Sequence, residues 1–126
     1  MRNIIMDFDT HPQSWERTGL GRNGPYTQDK TRAFEDEVKF LMQVQMDGQV
    51  ITTGCTVVMI LSIACKNKKK WGTQKITRPD NDNYEKAVFD AGNGIVWMDD
   101  GLIWSNHTRK YWAETDHIRL EISVDK

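Results

Sequence analysis

A chain of 126 residues is long enough for one domain with a modest two-layer core and leaves little room for a second catalytic module. Its 17 basic and 18 acidic residues give a formal net charge of −1, which argues against a protein that simply coats DNA. No stretch is long and apolar enough to span a membrane, and MRNIIMDFDT meets acidic residues too early for a secretory signal, so the expected location is the cytoplasm or nucleoid.

Residues 2–8 read as a short strand with Ile4, Met6 and Phe8 on one side. Residues 9–28 hold Pro12, Gly19, Gly21, Gly24 and Pro25 and read as loop, with Arg17 and Arg22 free to touch a polyanion. A helix is predicted from near Asp29, an acidic start, to near Gly48. Phe34, Val38, Leu41 and Met42 form its apolar stripe. Residues 56–64, TVVMILSIA, are the central-strand candidate. Apolar residues on both of its faces predict at least partial cover on more than one side. KNKKKWGTQK then breaks the pattern and reads as a mobile loop or an extension reaching solvent.

A second helix is predicted over 82–93, with Tyr84, Ala87, Val88 and Ala91 on the packed face and Asp82, Lys86 and Asp90 opposite. Asn93 and Gly94 supply its stop. Residues 95–98 read as a short strand, Asp99, Asp100 and Gly101 as a turn, and Leu102 and Trp104 as part of a further strand. Ile118, Leu120, Ile122 and Val124 alternate with polar residues in a half-buried strand. The sum is an α/β (α+β) domain over 1–126: a mixed β-sheet with two principal helices packed on one side.

Cys55 and Cys65 sit in or beside an apolar run without a close C-x-x-C pair and read as core thiols. His11, His107 and His117 are scattered and receive no metal role. The informative segment is RPDNDNYEKAVFDAGNGIVWMDD. Pro79 disfavours a helix before Asp80, so the helix starts around Asp80–Asp82, where free N–H groups favour acidic side chains. A short turn there lets the two carboxylates converge. The Asp99–Asp100 turn can return a third, and adjacency leaves open which of the two does so. Oxygen ligands of this kind suit magnesium or manganese, which activates water and orients phosphate. Lys86, one turn beyond Asp82, either steadies a phosphate oxygen or pairs with Asp82 or Asp90. Asn83 reads as a cap or carboxylate holder, and Asp90 as a supporting residue.

Lys66, Lys68, Lys69, Lys70, Lys75 and Arg78 crowd the segment just before this cluster. They read as phosphate contacts or as a solvated surface, with Trp71 as a stacking candidate and Arg109 and Lys110 as later DNA contacts. Trp97, in an apolar run, reads as structural.

The segment D-N-D-N-Y-E-K-A-V-F-D, followed by G-I-V-W-M-D-D, resembles the RusA family of Holliday junction resolvases. The preceding long strand, the helix after GPYT and the small size agree with it. The resemblance implies metal-site aspartates at Asp80, Asp82 and Asp100 and an active-site lysine at Lys86. Asn83, Asp90 and Asp99 match supporting positions, and Lys110 lies near a position that carries a basic residue. It further implies a RusA-like fold and a magnesium-dependent homodimer, with Mn2+ as a substitute, that nicks opposed strands of four-way DNA. Many relatives are encoded by phages or prophages. Gly92 departs from the family, where a larger apolar residue is common, and reads as a local loss of packing and helix propensity. The competing expectations are a broader branched-DNA or flap endonuclease and a non-enzymatic DNA-binding subunit.

Overall fold

The computed structural model describes residues 2–15, 19–21, 24–26 and 29–125, with the backbone alone for 19–21 and 24–26. Arg17 and Arg22, offered above as polyanion contacts, lie outside the described residues. The main sheet has four strands: β1 (Arg2–Phe8), β4 (Cys55–Ala64), β5 (Ile103–Ala113) and β6 (His117–Val124). Their order is β1-β6-β4-β5. Strand β6 is antiparallel to both β1 and β4, whereas β4 and β5 run parallel, so the sheet is mixed. A parallel pair needs a crossover. Here the crossover runs from Cys65 to Leu102 and contains helix α2 (Asn81–Ala91). The first helix, α1 (Asp29–Met46), joins the amino-terminal part of the chain to β4.

Both helices lie on one face of the sheet. Phe34, Val38, Met42 and Met46 repeat every four residues on α1 and are buried. Tyr84, Ala87, Val88 and Ala91, spaced three, one and three apart, are the buried face of α2. They meet Met6 and Phe8, the odd-numbered residues 55–63 of β4, and Ile118, Leu120, Ile122 and Val124 in one core. A fully buried side chain of this size contributes about 1.5–3 kcal/mol, so this single layer supplies most of the driving force for folding. Asp47 and Gly48 end α1 in the left-handed region, with φ of 49° and 80°. Gly48 is therefore the stop read from the sequence. Among the described residues no helix is long and apolar enough to cross a membrane.

Four local expectations need correction or sharpening. Residues 9–28 are not all loop: β2 (Gly19–Gly21) pairs antiparallel with β3 (Gly24–Tyr26), in strands too short to show a period of two. Residues 95–98 form turns with one-residue bridges from Trp97 to Ile51 and Asn93 rather than a strand. On the second face of β4 the cover is partial, as expected, but no second layer supplies it among the described residues. Val58 and Ile60 are half-buried beside Glu121 and Arg119 of β6, and Ile5 of β1 is 56% exposed. Finally, of the two readings given for the lysine-rich segment, the structure matches the extension reaching solvent. Lys68–Lys70 make a short 3-10 turn capped by Asn67, whose Oδ1 accepts the Lys69 N–H at 3.1 Å. The chain after it pairs along β5 through Gly72 N to Trp112 O, Trp112 N to Thr73 O and Lys75 N to Lys110 O, at 2.8–2.9 Å.

Candidate active site

The site gathers at the two ends of α2. At its start, Arg78–Pro79 is a cis peptide bond, and Asp80 is the extended residue before the first helical turn. The Asp80 side chain makes no capping bond, and Asp82 follows in the first turn. Both carboxylates are exposed and have no partner among the described residues. Helix N-termini favour such charges, because free N–H groups and the helix dipole point at them.

Lys86 does not pair with Asp82. Its ammonium lies 3.1 Å from Asp90 Oδ2, one turn further on, and 5.1 Å from the centre of the Trp15 ring. The main-chain N–H of Trp15 donates to Asn83 O at 2.9 Å, so Asn83 contributes through its main chain by tethering the residue whose ring lies against Lys86.

The end of α2 brings in the distal carboxylates. Gly92 is buried, and its carbonyl accepts the N–H groups of Ile95 and Val96 at 3.0 and 2.8 Å. A Cβ at Gly92 would stand 2.8 Å from Trp97 Cζ2. Gly92 is therefore no packing defect: its missing side chain is the space the Trp97 indole occupies. Trp97 is fully buried, donates Nε1–H to Phe89 O at 3.0 Å and meets the Phe89 ring edge-on at 5.6 Å. This lock folds the turn over 93–100 back on the helix. Asp100 then accepts from Asn93 Nδ2 at 3.4 Å and comes within hydrogen-bonding reach of Asp90.

Burial pushes the Asp100 carboxyl above its usual range, and the hydrogen bond with Asp90 and the charges of Asp90 and Asp99 push the same way. Asp99 is turned elsewhere. Its Oδ2 caps its own turn by accepting Gly101 N–H at 2.8 Å, a contact so close that a Cβ on Gly101 would fall 2.7 Å from that oxygen. Of the two adjacent aspartates, Asp100 faces Asp90 and Asn93, and the charge of Asp99 acts on it from its own turn.

Lys86, Asp90, Asn93 and Asp100 thus form one contiguous set, and Asp80 and Asp82 form an unpaired acidic mouth at the other end of the helix. Among the described residues no three Asp, Glu, His or Cys side chains converge as a ready metal cage. The donor chemistry nevertheless suits a hard cation: every candidate ligand is a carboxylate oxygen, and Lys86 is paired with Asp90 of the Asp90–Asp100 contact.

The basic residues divide. Lys68, Lys69, Lys70, Arg78 and Arg109 are exposed. Lys70 also lies 5.7 Å from the Trp112 ring centre. Trp71 is half-buried and gives its indole N–H to Cys65 O at 2.9 Å. Lys75 is withdrawn from solvent: it is 6% exposed, and its ammonium turns inward onto the carbonyls of Thr77 and Arg78 and the Thr77 hydroxyl. Lys110 is half-buried and donates to Thr77 O at 2.9 Å and Pro79 O at 2.6 Å. These two lysines border an open groove of about 470 Å³ with Gln74, Asn81, Arg109 and Tyr111. Their inward turn has no signature in sequence spacing. Asn93 was also missed as a partner of Asp100, although its place between helix stop and acidic turn made it available. Of the cysteines, Cys55 is buried and Cys65 half-buried, both as free thiols.

Compared with known proteins, the chain is 32% identical over 66 residues to the uncharacterized protein YqaN of Bacillus subtilis (strain 168), a match covering 48% of this chain and 46% of that one. The aligned part thus spans about half the length of that relative. Residues 9–124 match the sequence profile of the family described as Endodeoxyribonuclease RusA. That range includes α2, the Asp99–Asp100 turn and every sheet strand except β1, and the chain belongs to the RusA family.

Proposed function

We propose that this protein is a magnesium-dependent endodeoxyribonuclease that resolves four-way DNA junctions as a homodimer, one chain cutting each of two opposed strands. The observation that carries the reading is the Lys86–Asp90–Asp100 set toward one end of α2 and the unpaired Asp80–Asp82 mouth at the other, in a member of an endodeoxyribonuclease family. Asp80, Asp82 and Asp100 would hold the cation, with Asp90 and Asp99 supporting Asp100. Magnesium, or manganese in its place, supplies charge neutralisation and water activation when bound. The protein's own part is positional. The Gly92–Trp97 lock holds Asp100 against the helix, and Trp15 carries Lys86. Lys86 exchanges its exposed contact with Asp90 for a phosphate oxygen as DNA arrives. Exposed Lys68, Lys69, Lys70, Arg78 and Arg109 supply backbone contacts. Two cuts in opposed strands call for two sites, and a twofold pair of identical chains provides them in matching orientation.

The test compares cleavage of a four-way junction, a flap and a linear duplex with magnesium, for the native protein and for Asp80→Asn, Asp82→Asn and Asp100→Asn. Junction cleavage by the native chain, lost by at least about a hundredfold in each variant with junction binding retained, is the expected result. Preference for the flap would redefine the substrate as branched DNA more broadly. Binding without cleavage of any of the three would make this a DNA-binding subunit, and undiminished cleavage by all three variants would remove the site assignment.

A further inference from the structure

We propose that Lys75 and Lys110 act together as a positioning brace for Asp80, setting where its carboxylate stands rather than contacting DNA. The inference deepens the reading of Asp80 as a metal-site residue and rests on it.

Two lysine ammonium groups converge on three consecutive residues, Thr77, Arg78 and Pro79. Lys75 Nζ donates to Thr77 O and Thr77 Oγ1, each at 3.1 Å, and to Arg78 O. Those bonds use all three of its donors. Lys110 Nζ donates to Thr77 O at 2.9 Å and Pro79 O at 2.6 Å. The Thr77 carbonyl therefore accepts from both lysines, and the last carbonyl before Asp80 is held from β5. The two lysines are themselves tied by the Lys75 N–H donating to Lys110 O at 2.9 Å. On the other side of Asp80, Asn81 Nδ2 donates to Thr108 O at 3.2 Å, so β5 grips the chain both before and after the aspartate.

Solvation makes this arrangement costly without a purpose. Lys75 is 6% exposed, and the acceptors it meets are neutral. Burial, reinforced by the charge of Lys110, draws its pKa below the ordinary lysine range. A neutral apolar residue would fill the same space without that penalty, but it would leave the carbonyls of a turn with no regular secondary structure unpaired. The charge-assisted bonds fix a stretch whose only other task is to deliver Asp80 to the helix mouth. Displacing a reacting group by about 1 Å costs on the order of a hundredfold in rate.

The decisive variants are Lys110→Met, Lys110→Arg and Lys75→Met, with cleavage rate at saturating junction, junction Kd and amide exchange over residues 77–82 measured well below each Tm. Lys110→Met is expected to lose at least about tenfold in kcat with Kd within about threefold, and to speed amide exchange at 77–82. Lys110→Arg, whose guanidinium can also donate to two carbonyls, is expected to recover most of the rate. Lys75→Met is expected to follow Lys110→Met. Should it fail to fold, the half-exposed Lys110 pair decides alone. An unchanged kcat in Lys110→Met overturns the brace, as does a loss confined to Kd, which would make Lys110 a phosphate contact. If the native protein cuts no DNA, the functional reading fails separately, and unaltered exchange at 77–82 in Lys110→Met would then reject the brace on its own.

Discussion

Replacing Gly92 by alanine puts a methyl group into the plane where the Trp97 indole rests. The added carbon would lie 2.8, 2.9 and 3.1 Å from Cζ2, Cε2 and Nε1 of that ring. Neither side has room to yield. The indole is fully buried, bonded to Phe89 O and packed edge-on against the Phe89 ring. The Gly92 backbone is pinned by its carbonyl, which accepts from Ile95 and Val96. Over-packing a core costs about 1–3 kcal/mol, and two fixed partners put this case near the upper end. Gly92 has a right-handed φ of −81°, so alanine fits the backbone and gains at most about 1 kcal/mol in helix propensity. The net expectation is a loss of about 2 kcal/mol. With an unfolding entropy of about 2.1 cal/mol/K per residue, that lowers Tm by roughly 8 °C, which calorimetry reads directly. Combining Gly92→Ala with Trp97→Phe removes the three colliding atoms, so the two substitutions should be non-additive by about 1 kcal/mol or more. Because Trp97 anchors the turn that carries Asp100, junction cleavage should fall further than stability does. An unchanged or higher Tm for Gly92→Ala, or strict additivity with Trp97→Phe, would refute the lock.

Two more outcomes follow from charge placement. On the sheet face opposite the helices, protonated His117 donates from its two ring nitrogens to Asp9 and Asp7, each at 2.8 Å, beside Arg119 and Glu121. The hydrogen bond from His117 first of all holds Asp7 below its ordinary 3.8, and although burial pulls His117 down, its bonds to Asp7 and Asp9 outweigh it and hold His117 above 6.5. The stability the cluster adds is thus complete between about pH 4 and pH 6.5, fading as pH falls through the lowered Asp7 value or rises through the raised His117 value, so His117→Gln should destabilise most inside that window; a pH-independent difference in denaturant midpoint would contradict it. In the lysine-rich turn, Lys68→Ala and Lys69→Ala together should weaken junction binding and reduce the salt slope by about one unit per contacted phosphate, while an unchanged slope would move the main DNA contact elsewhere.

Much of the fold was legible because its signals are periodic. Alternation in β1 and β6 and the four-residue spacing of Phe34, Val38, Met42 and Met46 each name the buried face directly. The central strand was legible in position and in its partial outer cover, but not in the source of that cover. Val58 and Ile60 are apolar on the outer face and half-buried beside β6 side chains, with no second layer among the described residues. Apolarity reports a cost of exposure, and a strand inside a sheet can reduce that cost through its lateral neighbours. The short pair β2–β3 shows the opposite limit, since three residues per strand are too few for a period to appear.

The site was legible where the chemistry is local and opaque where one residue type has two environments. Asp80 and Asp82 sit at a helix start because a proline and the helix dipole both act within a few residues. The choice between Asp99 and Asp100 depended on one backbone N–H: Gly101, lacking a Cβ, lets Asp99 fold onto its own turn and leaves Asp100 to face Asp90. Gly92 misled because a missing side chain reads as lost contact until the indole that fills the space is seen. The lysines misled more deeply. Lys68, Lys69, Lys70 and Lys75 read alike as a basic run, and a basic run near carboxylates reads as a phosphate contact. What separates Lys75 is the demand of the carbonyls at Thr77 and Arg78 for donors, which the chain brings about by pairing 72–75 with the far end of β5. An ammonium is drawn either to phosphate outside or to unpaired carbonyls inside. The sheet edge decides between them, and that edge forms from residues more than 30 positions apart.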